Sequence, residues 1–287
     1  LLPRASVKAI YDQIEKDLLD AMNLLPEKST YTYGPNKAAA FGTLARMYLF
    51  MGNWTKANEY AGKAYQLSNF IYDYNSFSWA DSSNRALSAL TGYPASSVNM
   101  KDIVLQKYLR LAGGYNFVFF FSSAQSGLFT NGDLREVFGS SPKDWYGTTL
   151  QFPGILDTKA SYDYNHAGIT TAELLLTRAE AQARLLNTQA AIDDLNILSR
   201  KRFKTATYTD LTAATPEQAL QLVLNERRIE LAFNGLRLFD IKRLNMLGAN
   251  ISITHGTKVL PAGDPRFVLP IPAKVISLNA NIVPNPR

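Results

Sequence analysis

Thr215 to Leu247 reads TPEQALQLVLNERRIELAFNGLRLFDIKRLNML, and the fold is decided there. Thr215, Pro216 and Gln218 supply a hydroxyl N-cap, a proline at the first helical position and a glutamine at the third, the pattern of a capping box. On a helical projection Leu220, Val223, Leu224 and Leu231 gather on one side and Leu222, Ile229 and Phe233 on the other, so both faces are expected to be covered. A doubly covered helix that still carries Glu226, Arg227, Arg228 and Glu230 must neutralise them locally, because an unpaired buried charge costs several kcal/mol. Arg227 and Glu230, three residues apart, are expected to pair. The cluster reads as a structural ion-pair lattice rather than a catalytic carboxylate site. Gly235 breaks the helix, and Leu236 to Leu247 continues as a second amphipathic piece with Arg237, Asp240 and Arg243.

Outward from this stretch the helical grammar repeats. Lys37 to Ser68 reads as two helices broken at Gly52-Asn53. Ala38, Ala39, Gly42, Ala45, Ala57, Ala61 and Ala64 allow close approach, and Leu44, Tyr48, Leu49, Tyr60 and Leu67 fill the seam. Trp54 is expected to pack against this hairpin rather than stack on a ligand. Ile169 to Arg202 is again helix, turn, helix; laid on the first hairpin it puts Arg178 on Arg46, which suggests an internal repeat of tetratricopeptide type. Ser6 to Leu25 carries Val7, Ile10, Ile14, Leu18 and Met22 at helical spacing, and Pro26 ends it. The expected fold is therefore mainly α: tetratricopeptide-like helical hairpins (6–68 and 169–247) forming an α-α superhelix with a loop-rich insertion.

That insertion, residues 70–168, is dominated by Gly, Ser, Asn and aromatics, and loses helical periodicity. Asp102 to Tyr108 and Tyr115 to Phe121 read as short extended pieces, with Phe117 to Phe121 expected in a core. The tail from Arg266, RFVLPIPAKVISLNANIVPNPR, is expected to be nonhelical because of Pro270, Pro272, Pro284 and Pro286, and to cap the solenoid over 261–287.

The bulk numbers narrow the function. A chain of 287 residues with 46% hydrophobic content can bury a large core without staples, and no run approaches the ~20 apolar residues of a membrane span. Cysteine is absent, which excludes disulfides, thiolate metal sites and cysteine nucleophiles. The net charge of +6 is spread; its densest run, Arg200 to Lys204, reads as a solvated helix end, so nucleic acid is not an expected partner. His166 and His255 are the only histidines and lie in no ligand-spaced motif, and neither G-x-S-x-G nor a phosphate-cradling glycine loop occurs. No cofactor, metal or catalytic residue is expected. The first residues show no targeting peptide.

NERRIELAFNGLRLFDIKRLNMLG resembles the ERR-ELAFEG-R-FDL-R signature of the SusD/RagB family, the surface-exposed nutrient-binding lipoproteins of Bacteroidetes outer membranes. LLLTRAEAQARLLN…AIDDLNILSRKR resembles the family's AE-YLIRAEA-AR-G…A-DLN-IR-R run, and LFTNGDLREVF, with Asp133, Leu134 and Arg135, its DLR motif. Arg178 and Glu180 match the AE-YLIRAEA-AR run as structural residues, and the closing PIP…N…NP resembles the family's C-terminal segment. The resemblance implies non-catalytic capture of a glycan or other nutrient, and delivery to a SusC-like TonB-dependent outer-membrane transporter. It also implies a longer full-length protein with an N-terminal lipid anchor, of which this chain is the C-terminal major part.

Under that reading the ligand site lies in the insertion, since loops on a rigid solenoid are free to vary. A Trp or Tyr ring can stack on the C–H face of a sugar while polar side chains take its hydroxyls. The candidates are Trp79, Tyr115, Trp145 and Tyr146, with Asn116, Lys143 and Asp144 as hydrogen-bonding neighbours; for each ring the alternative is burial under the loops. Two other functions stay open at this level: an intracellular tetratricopeptide-type peptide-binding scaffold, and a glycoside-cleaving enzyme with two facing acids.

Overall fold

In the computed structural model the described residues are 3–27, 29, 34–83, 85, 90–93, 100–105, 108–110, 122–143, 149–155, 164–166 and 168–286. Helices dominate them. Each long helix begins where a short polar side chain captures a first-turn N–H: Ser6 for α1 (Val7–Met22), Asn36 for α2 (Lys37–Met51), Asn53 for α3 (Trp54–Leu67), Thr170 for α6 (Thr171–Arg184) and Thr215 for α8 (Pro216–Glu230). Gly52, at φ 73°, closes α2 in the left-handed conformation, which turns the chain into α3. The capping box at α8 closes one residue early: Thr215 accepts from the Gln218 N–H at 3.3 Å, and Gln218 accepts from Ala214 rather than from Thr215.

In space α1 packs on α2, α2 on α3, α3 on α6, α6 on α7 (Thr188–Ser199), and α8 on both α6 and α7. The hairpins α2–α3 and α6–α7 are therefore neighbours although residues 68–170 separate them in sequence. Ala57, Ala61 and Ala64 are fully buried where α3 meets α6. At Gly42 a Cβ would lie 3.2 Å from Leu174 and 3.3 Å from Ile169, closer than an ordinary contact, so the glycine keeps the packing around α2 unstrained. One core joins α6, α7 and α8 through Leu175, Leu176, Leu195, Leu198 and Val223; a second joins α1 to α2 and α3 through Leu44, Tyr48 and Leu49. The α1 stripe is narrower than its spacing predicts: Ile14, Leu18 and Met22 pack, while Val7 and Ile10 stay exposed.

The insertion is zipped at its base. β3 (Ile103–Leu105) pairs antiparallel with β8 (Ile169–Thr170), and β4 (Tyr108–Arg110) with β7 (Tyr164–His166), so the chain leaves and returns side by side at the head of α6. Further pairs are β1 (Ser78–Trp79) with β2 (Leu90–Thr91), β5 (Ser140–Lys143) with β6 (Thr149–Ile155), and β9 (Ile253–His255) with β10 (Lys258–Leu260). Two short helices, α4 (Ser123–Ser126) and α5 (Leu134–Gly139), complete its described part. Tyr115 to Phe121 lies outside the described residues.

After α9 (Arg237–Met246) the tail departs from expectation, since the six-residue helix α10 (Ala273–Leu278) fits between Pro272 and Pro284. Pro272 stands at its N-cap, where a missing N–H costs nothing. The tail also meets the chain start, with the Arg4 guanidinium donating to Asn285 Oδ1 at 2.8 Å. Among the described residues no helix is long and apolar enough to cross a membrane.

Candidate functional site

The insertion is bolted to the solenoid by charge. Arg135, buried at the start of α5, donates to Asp133 at 2.8 and 2.9 Å, to Glu226 at 2.6 Å and to Glu230 at 3.4 Å on α8. Arg202, 1% exposed, donates to Glu230 at 2.8 Å and to the Tyr72 carbonyl at 2.7 Å, with its guanidinium 4.2 Å above the Tyr74 ring. Burial disfavours both cations, but Glu226 and Asp133 around Arg135, and Glu230 beside Arg202, outweigh it and hold both pKa values above the ordinary range. Main-chain bonds add to the joint: Leu134 N–H to Arg202 O at 2.8 Å and Tyr74 N–H to Lys201 O at 2.9 Å.

A second lattice adjoins the first along α8. Arg227 donates to Asp240 at 3.0 Å, and Arg243 joins Asp240 at 2.8 Å to Glu180 at 2.6 and 2.7 Å. Arg184 holds the same Glu180 at 3.0 Å and stacks 4.5 Å over Trp54, which is therefore a packing residue of the first hairpin. Burial alone would raise the pKa of Glu180 and Asp240; Arg243 at the first and Arg227 at the second turn the net shift downward. The expected Arg227–Glu230 pair does not form: Arg227 pairs with Asp240, and Glu230 with Arg202 and Arg135. Nor is Arg200 to Lys204 simply a solvated end: Arg200 is exposed against Asp210, but Arg202 is interior.

Beneath the insertion Tyr74, Phe77, Leu134 and Phe138 form an aromatic cluster, with Tyr72, Trp79, Leu90 and Tyr93 packed on it. Trp79, the one candidate ring among the described residues, is half-buried here; its indole N–H donates to Val137 O at 3.1 Å, and its ring lies 6.2 Å from Phe138. Lys143 ends β5. Tyr115, Asn116, Asp144, Trp145 and Tyr146 lie outside the described residues.

A separate groove of about 560 Å³ runs between α3, α6 and α7, lined by Asn58, Lys63, Arg178, Gln182 and Asp194 among others. Arg178 donates to Asp194 at 2.7 Å and lies 4.8 Å over Tyr65, a different partner from that of its repeat counterpart Arg46, which holds Glu173 at 2.7 Å. The repeat is thus a repeat of helix packing rather than of side-chain pairing. Sequence reasoning missed Gln125 and Arg202, because their partners Arg228 and Glu230 lie 103 and 28 residues away.

Residues 156–287 match the family model described as SusD family, and residues 2–49 match one described as "Starch-binding associating with outer membrane". The chain belongs to the SusD/RagB family. Its relatives include SusD-like protein P2 of Formosa agariphila, 30% identical over 128 residues, which are 42% of this chain and 25% of that protein. The chain thus spans about a quarter of the length of the curated relative it matches. Among solved structures, a SusD superfamily protein from Bacteroides thetaiotaomicron superposes with a TM-score of 0.75 at 20% identity, covering 99% of this chain and 67% of that one. A SusD-like carbohydrate binding protein from Bacteroides vulgatus gives 0.69 at 20% identity, covering 98% and 66%. At such identities these two likenesses establish the tetratricopeptide-like helical fold.

Proposed function

We propose that this SusD/RagB chain holds a glycan at the cell surface without turning it over, and passes it to a SusC-like TonB-dependent transporter. The observation that carries the reading is the joint between frame and insertion: loops rich in rings are anchored through Arg135 and Arg202 to a rigid solenoid. That arrangement suits a binder, since ordering loops in advance lowers the entropy lost on capture. Every buried carboxylate among the described residues is paired with an arginine. Acids so engaged favour a frame over proton-transfer chemistry, which supports binding without catalysis. The family description as starch-binding and outer-membrane-associated, and the carbohydrate-binding relative of B. vulgatus, point the same way. In the full-length protein an N-terminal lipid anchor would hold it on the outer membrane, facing out.

Within this reading the solenoid comprises 6–68 and 169–247, the insertion 70–168 carries the site, and 261–287 closes the end. Trp145 and Tyr146 supply the stacking rings, with Trp79 and Tyr115 flanking and Asn116, Lys143 and Asp144 taking hydroxyls. Each ring should contribute about 1 kcal/mol of stacking, so Trp145→Ala with Tyr146→Ala should weaken glycan binding about tenfold or more without unfolding. A glycan array on the full-length protein selects the ligand, and calorimetric titration of the double variant tests the site; unchanged affinity removes both rings from it.

The peptide-scaffold reading has one observation in its favour, the polar α3–α6–α7 groove, where Asn58 Oδ1 is buried without a partner among the described residues. Glycan binding that survives Arg178→Ala and Lys63→Ala in the groove would separate the two.

A further inference from the structure

Two residues beside the α3–α6–α7 groove are not the ones the fold would choose. Gly62 stands in the interior of α3, where glycine costs helix stability relative to alanine, yet an added Cβ would meet only Arg178 Cδ at 3.9 Å. Leu186, in the turn between α6 and α7, is held at φ 66° and is 71% exposed. The matching turn of the first hairpin has Gly52 at φ 73°, since a left-handed backbone strains a residue that carries a Cβ. Packing thus accounts for neither the missing side chain nor the strained apolar one. Strain kept at the surface with no packing in return points to a ligand.

Both residues belong to one surface. Gly62 lines the groove between Asn58 and Gln66, and Leu186 lies four residues from each of the lining residues Gln182 and Ala190, at the groove's end. The groove runs between α3 and α7, the second helices of the two pairs, across α6. Asn58, Gly62 and Gln66 follow one another at one-turn intervals of about 6 Å, close to the ~6.6 Å between alternate residues of an extended chain. Arg178, whose Nε and one Nη are taken by Asp194, has its other Nη without a partner among the described residues, and so has the Gln66 amide. A guanidinium donor and an amide that both donates and accepts suit the alternating N–H and C=O groups of a peptide backbone.

Asp193 supplies the charge. It lines this groove and also a second hollow of about 370 Å³ between α7 and residues 210–212. Its Oδ1 accepts from Gln189 Nε2 at 2.8 Å, and it makes no ion pair among the described residues. Arg178 is bound to Asp194, Lys63 to Glu59, and Arg200, whose field reaches Asp193, to Asp210. Along α7, Leu186 and Asp193 are about 10 Å apart, the length of about three residues of extended chain.

We propose that this outer groove is a docking site for an extended segment of a partner protein, with an apolar residue of that segment against Leu186, a basic one at Asp193 three positions away, and its backbone over Gly62. Glycan capture, assigned to the insertion, is independent of this site.

Blocked, labelled hexapeptides LTSKTS and STKSTL, which place leucine and lysine three apart in either chain direction, probe the site on the full chain. At least one should bind on the order of tenfold more tightly than its lysine-to-glutamate form, and Asp193→Asn should remove that preference. Gly62→Gln, which fills the groove, and Leu186→Gly, which removes the apolar anchor, should each weaken peptide binding several-fold and at the same time raise the melting temperature. Lys274→Gln, in exposed α10, should change neither result. A role in the fold alone would move melting and leave binding untouched, so higher melting with undiminished peptide binding overturns the docking site. Lower melting of either variant, or no binding of either peptide, overturns it too. Maltohexaose that binds where the peptides do not, with the same losses in the variants, would put sugar in the groove and overturn the peptide assignment, whereas glycan capture by the insertion stands or falls on Trp145→Ala with Tyr146→Ala.

Discussion

Arg135 donates to Glu226 at 2.6 Å across 91 residues of sequence, and this pair fastens the start of α5 in the insertion to the middle of α8 in the solenoid. With Asp133 and Glu230 on the same guanidinium, it is a joint whose parts cannot be removed singly without leaving a charge behind.

Arg135→Ala should therefore cost about 3–5 kcal/mol, because Asp133 and Glu226 lose their counter-ion in an interior position while Glu230 keeps Arg202. Equilibrium denaturation measures it. A double variant with both Arg135 and Glu226 replaced by leucine should lose less than the sum of the single changes, since the residues are in direct contact; additive losses would mean the pair is not coupled.

In the adjoining lattice of Arg227, Asp240, Arg243 and Glu180 the order of losses is informative. Arg243→Ala removes the bidentate partner of Glu180 and one partner of Asp240, whereas Arg227→Ala leaves Asp240 still held by Arg243. The first should cost about 3–5 kcal/mol and the second about 2–3 kcal/mol. Melting curves that reverse this order would show that Arg227 carries the lattice.

Two helix glycines should respond oppositely to alanine. At Gly62 the new Cβ meets only Arg178 Cδ at 3.9 Å, so Gly62→Ala should stabilise by up to about 1 kcal/mol through helix propensity. At Gly42 the same gain is set against a squeeze on buried Leu174 and Ile169 that costs about 1–3 kcal/mol, so Gly42→Ala should destabilise. Thermal unfolding of the two variants decides the sign.

Acid should weaken the fold through Glu180 and Asp240. Their folded pKa values lie below the unfolded ones, so their stabilisation is complete above the ordinary carboxylate range of about 4 and is lost as pH falls through and below it. Asp194, lifted by burial despite Arg178, acts in the opposite sense and blunts the loss. Melting temperatures between pH 7 and pH 3 should stay level at first and then fall; a curve that rises on acidification would contradict the assignment.

The helices were legible from residues 6 to 247 because their signals are local. A hydroxyl or amide at the N-cap, alanines at a buried seam and glycine at a left-handed turn act over one or two turns, so Asn53, Ala61 and Gly52 announce themselves in the sequence. The DLR and ERR motifs were legible as resemblances, and the need to neutralise the charges of α8 followed from its two apolar faces.

What the tertiary structure alone decided is which charge meets which. Arg227 sits three residues from Glu230 and yet pairs with Asp240, and Arg202 in an apparently solvated run is interior, because both outcomes depend on which segments the fold brings to either side of α8. Coulomb attraction rewards proximity in space, and sequence spacing predicts proximity only within a single helix. Arg228 and Arg237 belong to the same class of fact: neither makes an ion pair among the described residues, and no reading of neighbours along the chain shows it.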